Sequence, residues 1–453
     1  MFKMEDFITS KNELSFIEKK MISVVNKSIS LSSPQSIMEN CIKKISSHKF
    51  SVKGEVIDIS NGKLYVLGWG KSSAAMAEGV ELVLGEEMIE TGIVVSNNVG
   101  HKLKKIKFMR GSHPFPSQDS MNAAKEIIAL AKKLGENDYV LCLVSGGGSS
   151  LLCLPASGIS LDDKVKAIET MMLLGLNVQE LNIVRKHISD IKGGKLGQCI
   201  FPATAINLII SDDVDNNIYS IASGATVQDP TTFKEALSII KKYGLEAKLP
   251  LSVVQHIESH LEENEASKDL KFFSKIKTFI VFDNKSLLRC IKKVAMEEGF
   301  QNVEVYEKPF KEDINDAFSG FNSFVSETKN KYKGSGFLAI AGGEAEVKEE
   351  HKGKGGRAQH FAALMIPKIK EFKDSSFVAI ASDGRDFIEG IAGALVNDKT
   401  IETINKEKVD YNSYVKGTDS FNLHKILNTH LFSTKNNGIN VFDVYIFAKS
   451  KEE

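Results

Sequence analysis

Seven short, unbroken apolar runs separated by longer amphipathic stretches constrain this chain more than any other feature. They are Leu64–Gly68, Gly92–Ser96, Tyr139–Val144, Ala205–Ile210, Thr278–Phe282, Phe337–Ala341 and Phe377–Ala381. None alternates polar with apolar residues, so each is expected as a strand covered on both faces, as in a parallel sheet. The stretches between them read as helices. The clearest spans 119–134: Ser117 or Asp119 can cap it, Ile127, Ile128, Ala131 and Leu134 share a face, and Gly135 fits the position after its end. Ala74–Leu84 is a second. Such alternation predicts an α/β protein. The 453 residues are expected to form two domains. The larger, N-terminal one is expected to be a doubly wound, Rossmann-like parallel sheet and the smaller, C-terminal one a further α/β domain. A polar stretch at 262–269 suggests a boundary, giving domains at 1–265 and 270–453.

Charge narrows the partners. Lys plus Arg number 58 and Asp plus Glu 58, so the whole chain offers no basic field and no nucleic-acid partner is expected. No apolar stretch reaches the ~18 residues of a membrane span. The first ten residues carry Lys3, Glu5 and Asp6 and lack an apolar leader core. Five cysteines, odd in number and without a CxxC pair, fit buried thiols in a reducing compartment. A cytoplasmic protein without membrane contact is expected. His256 and His260 stand four apart but outside an HExxH context, which favours a solvated helix face over a metal site. Oligomeric state is open, with a homodimer as the working expectation.

The chemistry is expected where turns follow strands. Ser145-Gly146-Gly147-Gly148-Ser149-Ser150 directly follows the Tyr139–Val144 run. Its glycines let backbone N–H groups approach an anion, and its serines add hydroxyl donors. Ligands of open α/β sheets collect at strand C-termini, so this loop is expected to bind phosphate. Gly68-Trp69-Gly70-Lys71-Ser72-Ser73 is no P-loop, because Tyr65 stands at the first glycine position of that motif. It is no dinucleotide fingerprint either, because Ser73 stands at the third glycine position. What remains is Lys71 on a glycine turn at a helix start, where the helix dipole disfavours a cation unless an anion is near. Gly342-Gly343-Glu344 and then Lys352-Gly353-Lys354-Gly355-Gly356-Arg357 place three cations on a glycine-rich loop, with Arg357 offering a planar fork. Ser211-Asp212-Asp213 and Ser382-Asp383-Gly384 put carboxylates at two more strand ends. There they can hold Mg²⁺, accept a proton or cap the next helix. Asn182–Lys195 is basic with a glycine pair, and Gly111-Ser112-His113-Pro114 is a turn. By composition both are loops, with a structural role for His113.

Taken in order, these motifs resemble the glycerate kinases whose C-terminal part is called the MOFRL domain. The resemblance runs from residue 20 to 448, and Ile183–Ser189, Ile191–Leu196 and Val144–Leu152 are its most specific stretches. It implies an ATP-dependent kinase that uses Mg²⁺ to phosphorylate D-glycerate, typically to 2-phosphoglycerate; the alternatives are a kinase for another sugar acid or hydroxypyruvate and a non-catalytic nucleotide- or anion-binding paralogue. By position it implies Lys71, Arg357 and Asp212 as catalytic, and Ser145, Gly146, Gly147, Gly148, Ser149 and Ser150 as the ATP-binding loop. On this reading Arg185, Lys186 and His113 are expected to bind the acid, and Asp212 and Asp383 the metal. The sequence departs from the family pattern at Asp213 and Asn216, at Ala225, at Ala358 and His360, at Thr418, and within 434–443, which still ends on Asp443.

Overall fold

A computed structural model describes residues 7–451 except 12, 262–268, 348–352 and 434–437. The polar boundary at 262–269 thus lies almost wholly outside the described residues. Contacts divide the chain into two units, Pro34–Val281 and the described parts of 1–33 and 282–453. This differs from a split at 265–270 in two ways. Ile276–Phe282 is an edge strand of the first unit's sheet. Phe7–Thr9 pairs with His430–Ser433, and Glu18 of the Phe16–Leu31 helix accepts from Asn397 Nδ2 (3.1 Å), which ties the N-terminus to the second unit.

The first unit carries a six-stranded sheet in the order Ile276–Phe282, Thr204–Ile210, Tyr139–Val144, Leu64–Trp69, Ile89–Ser96, Ile106–Arg110. The last five are mutually parallel; the apolar runs predict four of them, and Ile106–Arg110, partly exposed, is additional. Helices cover it because their apolar faces need cover too. Gln118–Ala131 starts at a Ser117 cap and buries Ala123, Ala124, Ile127 and Ala131. It closes at Lys132, so Gly135 is not its terminating residue. Ser73–Leu84 follows the Leu64–Trp69 strand. Ile42–Lys44, Lys49–Val52 and Glu55–Asp58 form a small antiparallel sheet.

The second unit holds a seven-stranded sheet ordered Phe7–Thr9, His430–Ser433, Ile391–Asn397, Ser375–Ala381, Asp443–Lys449, Phe337–Gly343, Val303–Val305. Phe337–Gly343 and Ser375–Ala381, expected as parallel strands, both run antiparallel to Asp443–Lys449, while Phe337–Gly343 is parallel to Val303–Val305. Every residue of these three strands is buried. An unbroken apolar run therefore reported cover on both faces, and strand direction left no mark on it. Aromatic rings knit this core, with Phe361 stacked on Tyr445 at 4.1 Å. Such a contact contributes about 0.5–1.5 kcal/mol beyond area burial. Among the described residues no helix is long and apolar enough to cross a membrane. All five cysteines are free thiols, and burial raises the pKa of Cys142.

Candidate active site

Strand register assembles the first cluster. Trp69 pairs with Val144, and Val144 with Ile209. Three strands end almost level, and the turns beginning at Gly70, Ser145 and Ser211 leave the sheet side by side. The Lys71 N–H donates to Gly146 O (2.9 Å), and the Ser72 N–H to Ser145 Oγ (3.0 Å). A Cβ on Gly146 would stand 2.3 Å from Asp212 Oδ2. On Gly147 it would stand 2.9 Å from His113 Cδ2 and 3.2 Å from Lys71 Cε, at a φ of +76°. Lys71, His113 and Asp212 thus converge on two glycines that leave no room for a side chain. Among the described residues, the N–H groups of Gly146 and Gly147 meet no acceptor and the Lys71 ammonium has no ion pair or hydrogen bond.

The serines play a different part from the expected one. Ser150 Oγ donates to Pro114 O, Ser149 Oγ bonds Ser223 Oγ (2.7 Å), and Ser223 Oγ donates to Asn182 Oδ1 (3.3 Å). Their hydroxyls brace the loop instead of standing open as phosphate donors. Lys192, fully buried, donates to the carbonyls of Ser149 and Leu152, and burial pulls its pKa down to about 7. Sequence reading missed this lysine, although Ile191-Lys-Gly-Gly194 marked the place.

The substrate candidates divide. His113 joins the glycine cluster. Lys186 is buried and already holds a carboxylate, donating to Asp229 Oδ1 at 2.6 Å, so a substrate acid would have to displace Asp229. Asp229 also accepts from the N–H (3.0 Å) and Oγ1 (2.7 Å) of Thr231, which fits it for pinning the Val178–His187 helix to that turn. Arg185 lies against Met172 Sδ (3.9 Å), and burial lowers its pKa to about 10. His256 and His260, expected on a solvated face, pack on Phe233 at 5.9 and 5.2 Å instead, with His187 at 4.6 Å from the same ring. Together with Lys186 and Asp229 they line a cavity of about 530 Å³. Asp213, one of the departures, closes its own turn by accepting from the N–H groups of Asp215 and Asn217 (both 3.0 Å). Asn216 takes a left-handed conformation there, φ +56°, which asparagine tolerates.

Arg357 organises a second cluster, in the other unit. It opens the Arg357–Ile369 helix, whose first N–H groups, of Ala358 and Gln359, donate to the buried Asp386 at 3.1 and 2.8 Å. Its Nε donates to Asp443 Oδ2 (3.0 Å) and its Nη1 to Glu344 Oε1 (2.6 Å). Burial opposes the guanidinium's charge, but Asp443 and Glu344 outweigh burial and the pKa lies above its ordinary value. Burial pushes Asp443 up to about 7 despite the guanidinium, and Asp386 upward as well. Of the expected cation trio only Arg357 is so held: Lys354 is exposed, and Lys352 lies outside the described residues. Asp386 carried no sequence signal of this role, and the signal at Asp443 was its place at the end of the 434–443 stretch. Asp383 Oδ1 accepts from the Arg385 N–H (2.9 Å), an ordinary turn contact.

Among the described residues no group of three or more His, Cys, Asp or Glu could hold a metal by itself. Mg²⁺, however, is commonly held by one or two carboxylates together with substrate phosphates. Asp212, with a carboxylate oxygen against the glycine loop, fits that donor class.

A parallel sheet whose strand tips gather a lysine, an aspartate and a glycine turn places the protein among α/β enzymes that handle anions at strand ends. Residues 20–258 match a family described as a domain of unknown function, DUF4147, and residues 337–443 match the MOFRL family. A glycerate 2-kinase of Pyrococcus horikoshii is 35% identical over 93% of this chain and 95% of its own length. A relative from Agrobacterium vitis carrying a hydroxypyruvate reductase name is 31% identical over 84% of this chain and 86% of its own. The crystal structure of a glycerate kinase from Thermotoga maritima superposes with a TM-score of 0.78 at 28% identity, covering 95% of this chain and 99% of that one. The chain belongs to the DUF4147–MOFRL family, the family of the glycerate 2-kinases.

Proposed function

We propose that this protein transfers the γ-phosphoryl group of ATP to D-glycerate, giving 2-phosphoglycerate. The observation that carries the reading is the convergence of Lys71, His113 and Asp212 on Gly146–Gly147. Backbone N–H groups without a protein acceptor, beside an ammonium without an acid, suit a polyphosphate. Gly146 and Gly147 hold its oxygens, with Ser145, Gly148, Ser149 and Ser150 fixing the loop's shape. Lys71 stabilises the charge that spreads over the transferring group, where such contacts contribute most to rate. Arg357 offers its fork to phosphoryl oxygens in its own unit. His113 orients the acid. Lys186 is a brace in this reading, and Arg185 carries no direct role. Asp212, with Asp383 as a second candidate, would hold Mg²⁺, which supplies charge neutralisation to the phosphates when bound.

A reductase reading, raised by one relative's name, lacks support at the first glycine turn. Ser73 replaces the third glycine of a dinucleotide fingerprint, and Lys71 stands at the turn. The deciding assay gives the protein ATP, Mg²⁺ and D-glycerate and identifies the product by NMR, with NADH and hydroxypyruvate in a parallel reaction. 2-Phosphoglycerate in the first and no NADH oxidation in the second is the expected result. No phosphorylated glycerate in the first would overturn the substrate, and NADH oxidation alone would replace the reaction.

A further inference from the structure

The two acids on Arg357 differ in one respect that decides what each can do. The Asp443 side chain is 2% exposed, that of Glu344 42%, and that of Arg357 35%. Asp443 begins the Asp443–Lys449 strand and is in register with both Gly343 and Ala381, so its backbone is fixed on two sides. It has no solvent to turn into. Apart from Arg357, Glu344 is anchored among the described residues only at its backbone, where its N–H donates to Phe310 O (2.7 Å). Its carboxylate reaches Arg357 through rotatable bonds at the surface. Asp386 holds the root of Arg357 by accepting from the two N–H groups that follow it. Root and Nε are therefore permanent, while the contact at Nη1 is exchangeable.

A guanidinium receives a phosphoryl group best through two parallel N–H bonds. With Nε taken by Asp443, the Nη1–Nη2 edge is the one a ligand can use, and Glu344 occupies half of it. We propose that Glu344 is an internal placeholder, a carboxylate that sits where a ligand oxygen will sit and leaves when the ligand arrives. The consequence is selectivity by charge. A ligand carboxylate, with one negative charge, gains nothing by exchanging with another carboxylate. A phosphoryl group, with a charge of about −1.5 to −2 near neutral pH, does gain. Arg357 is thereby reserved for phosphoryl oxygens and kept from the carboxylate of a hydroxy acid. This inference rests on the reading that Arg357 meets a phosphoryl group.

The test measures binding of inorganic phosphate and of acetate by calorimetry to the wild type, Glu344→Gln, Arg357→Ala and the double variant. The amide keeps the size of Glu344 at an exposed position, so the fold is expected to survive, with the thermal midpoint as a check. Glu344→Gln is expected to bind phosphate about tenfold more tightly, a change of 1.4 kcal/mol. It is expected to gain still more for acetate, so that discrimination between the two narrows. In the Arg357→Ala background the same change is expected to do nothing. Unchanged or weaker phosphate binding by Glu344→Gln, while Arg357→Ala still weakens it, would overturn the placeholder alone. If Arg357→Ala leaves both phosphate affinity and phosphoryl transfer intact, the underlying reading of Arg357 fails.

Discussion

In the unit of residues 34–281 Lys71 stands beside a glycine turn with no acid on its ammonium among the described residues, whereas in the other unit Arg357 is gripped by Asp443 and Glu344. The difference follows from how each cation is aimed. Lys71 is placed by its backbone: its N–H is bonded to Gly146, its neighbour Ser72 to Ser145, and Gly147 packs on its side chain. Close packing of glycine against the lysine stem does what an acid would otherwise do. Arg357 has a long side chain leaving a helix start, and only partners at the guanidinium can fix its direction. Lys186 in the first unit shows that a buried lysine there can be given an acid, so the absence of one at Lys71 is a property of that position.

Substitutions can break this contrast or sharpen it. The largest expected effect is on stability at the paired lysine. Asp229→Ala leaves the buried Lys186 ammonium without its acid and should cost about 3–5 kcal/mol of unfolding free energy. Chemical denaturation measures it, and a loss below about 1 kcal/mol would remove Lys186 as a point of contrast. Next is Gly146→Ala, whose methyl would stand 2.3 Å from Asp212 Oδ2. The Asp212 carboxylate or the loop must give way, and a displacement near 1 Å at a reacting centre lowers kcat by about 100-fold. Full activity in this variant would separate Asp212 from the chemistry. The smallest effect concerns pH. Asp443, pushed up to about 7 by burial, holds its proton more tightly folded than unfolded. Its contribution to stability is present at low pH and is lost as pH rises through about 7. Asp443→Asn keeps an acceptor for Arg357 without the charge. It should therefore exceed the wild type in stability at pH 8 by on the order of 1 kcal/mol, discounted because Arg357 is partly solvated. The gap should close as pH falls toward about 4. A gap that widens on acidification would reverse the sign and the explanation.

The two units also differed in how far the sequence could be read. In the first, five strands, the parallel direction of four of them and the glycine loop were legible, while the Ile106–Arg110 strand was not. Continuous apolar runs followed by glycine or acid turns carry both the sheet and its ligand end, and level registers then bring Lys71, Gly146 and Asp212 together. In the second, the strands at Phe337 and Phe377 were legible but the mixed direction of their sheet was not, since burial on both faces erases the alternation that marks antiparallel pairing. The long-range bonds stayed hidden for a related reason. Arg357 meets Asp443 across 86 positions, and Lys186 meets Asp229 across 43. Spacing along the chain says nothing about such pairs. Ser149 and Ser150 looked like ligand donors because their type suits that role, but the partners that engage them, Ser223 and Pro114, come from other turns.

The claim on which the rest stands is that Lys71, lacking an acid of its own, meets the phosphoryl group held by Gly146 and Gly147. Its most direct measurement is the rate of phosphoryl transfer from ATP to D-glycerate by Lys71→Ala, followed by ³¹P NMR beside a thermal unfolding curve. The expected result is a fall in kcat of about 10²–10³-fold, the scale of losing one preorganised charge-stabilising contact, at an unchanged unfolding midpoint. Undiminished transfer, or a loss traceable to unfolding alone, would contradict it.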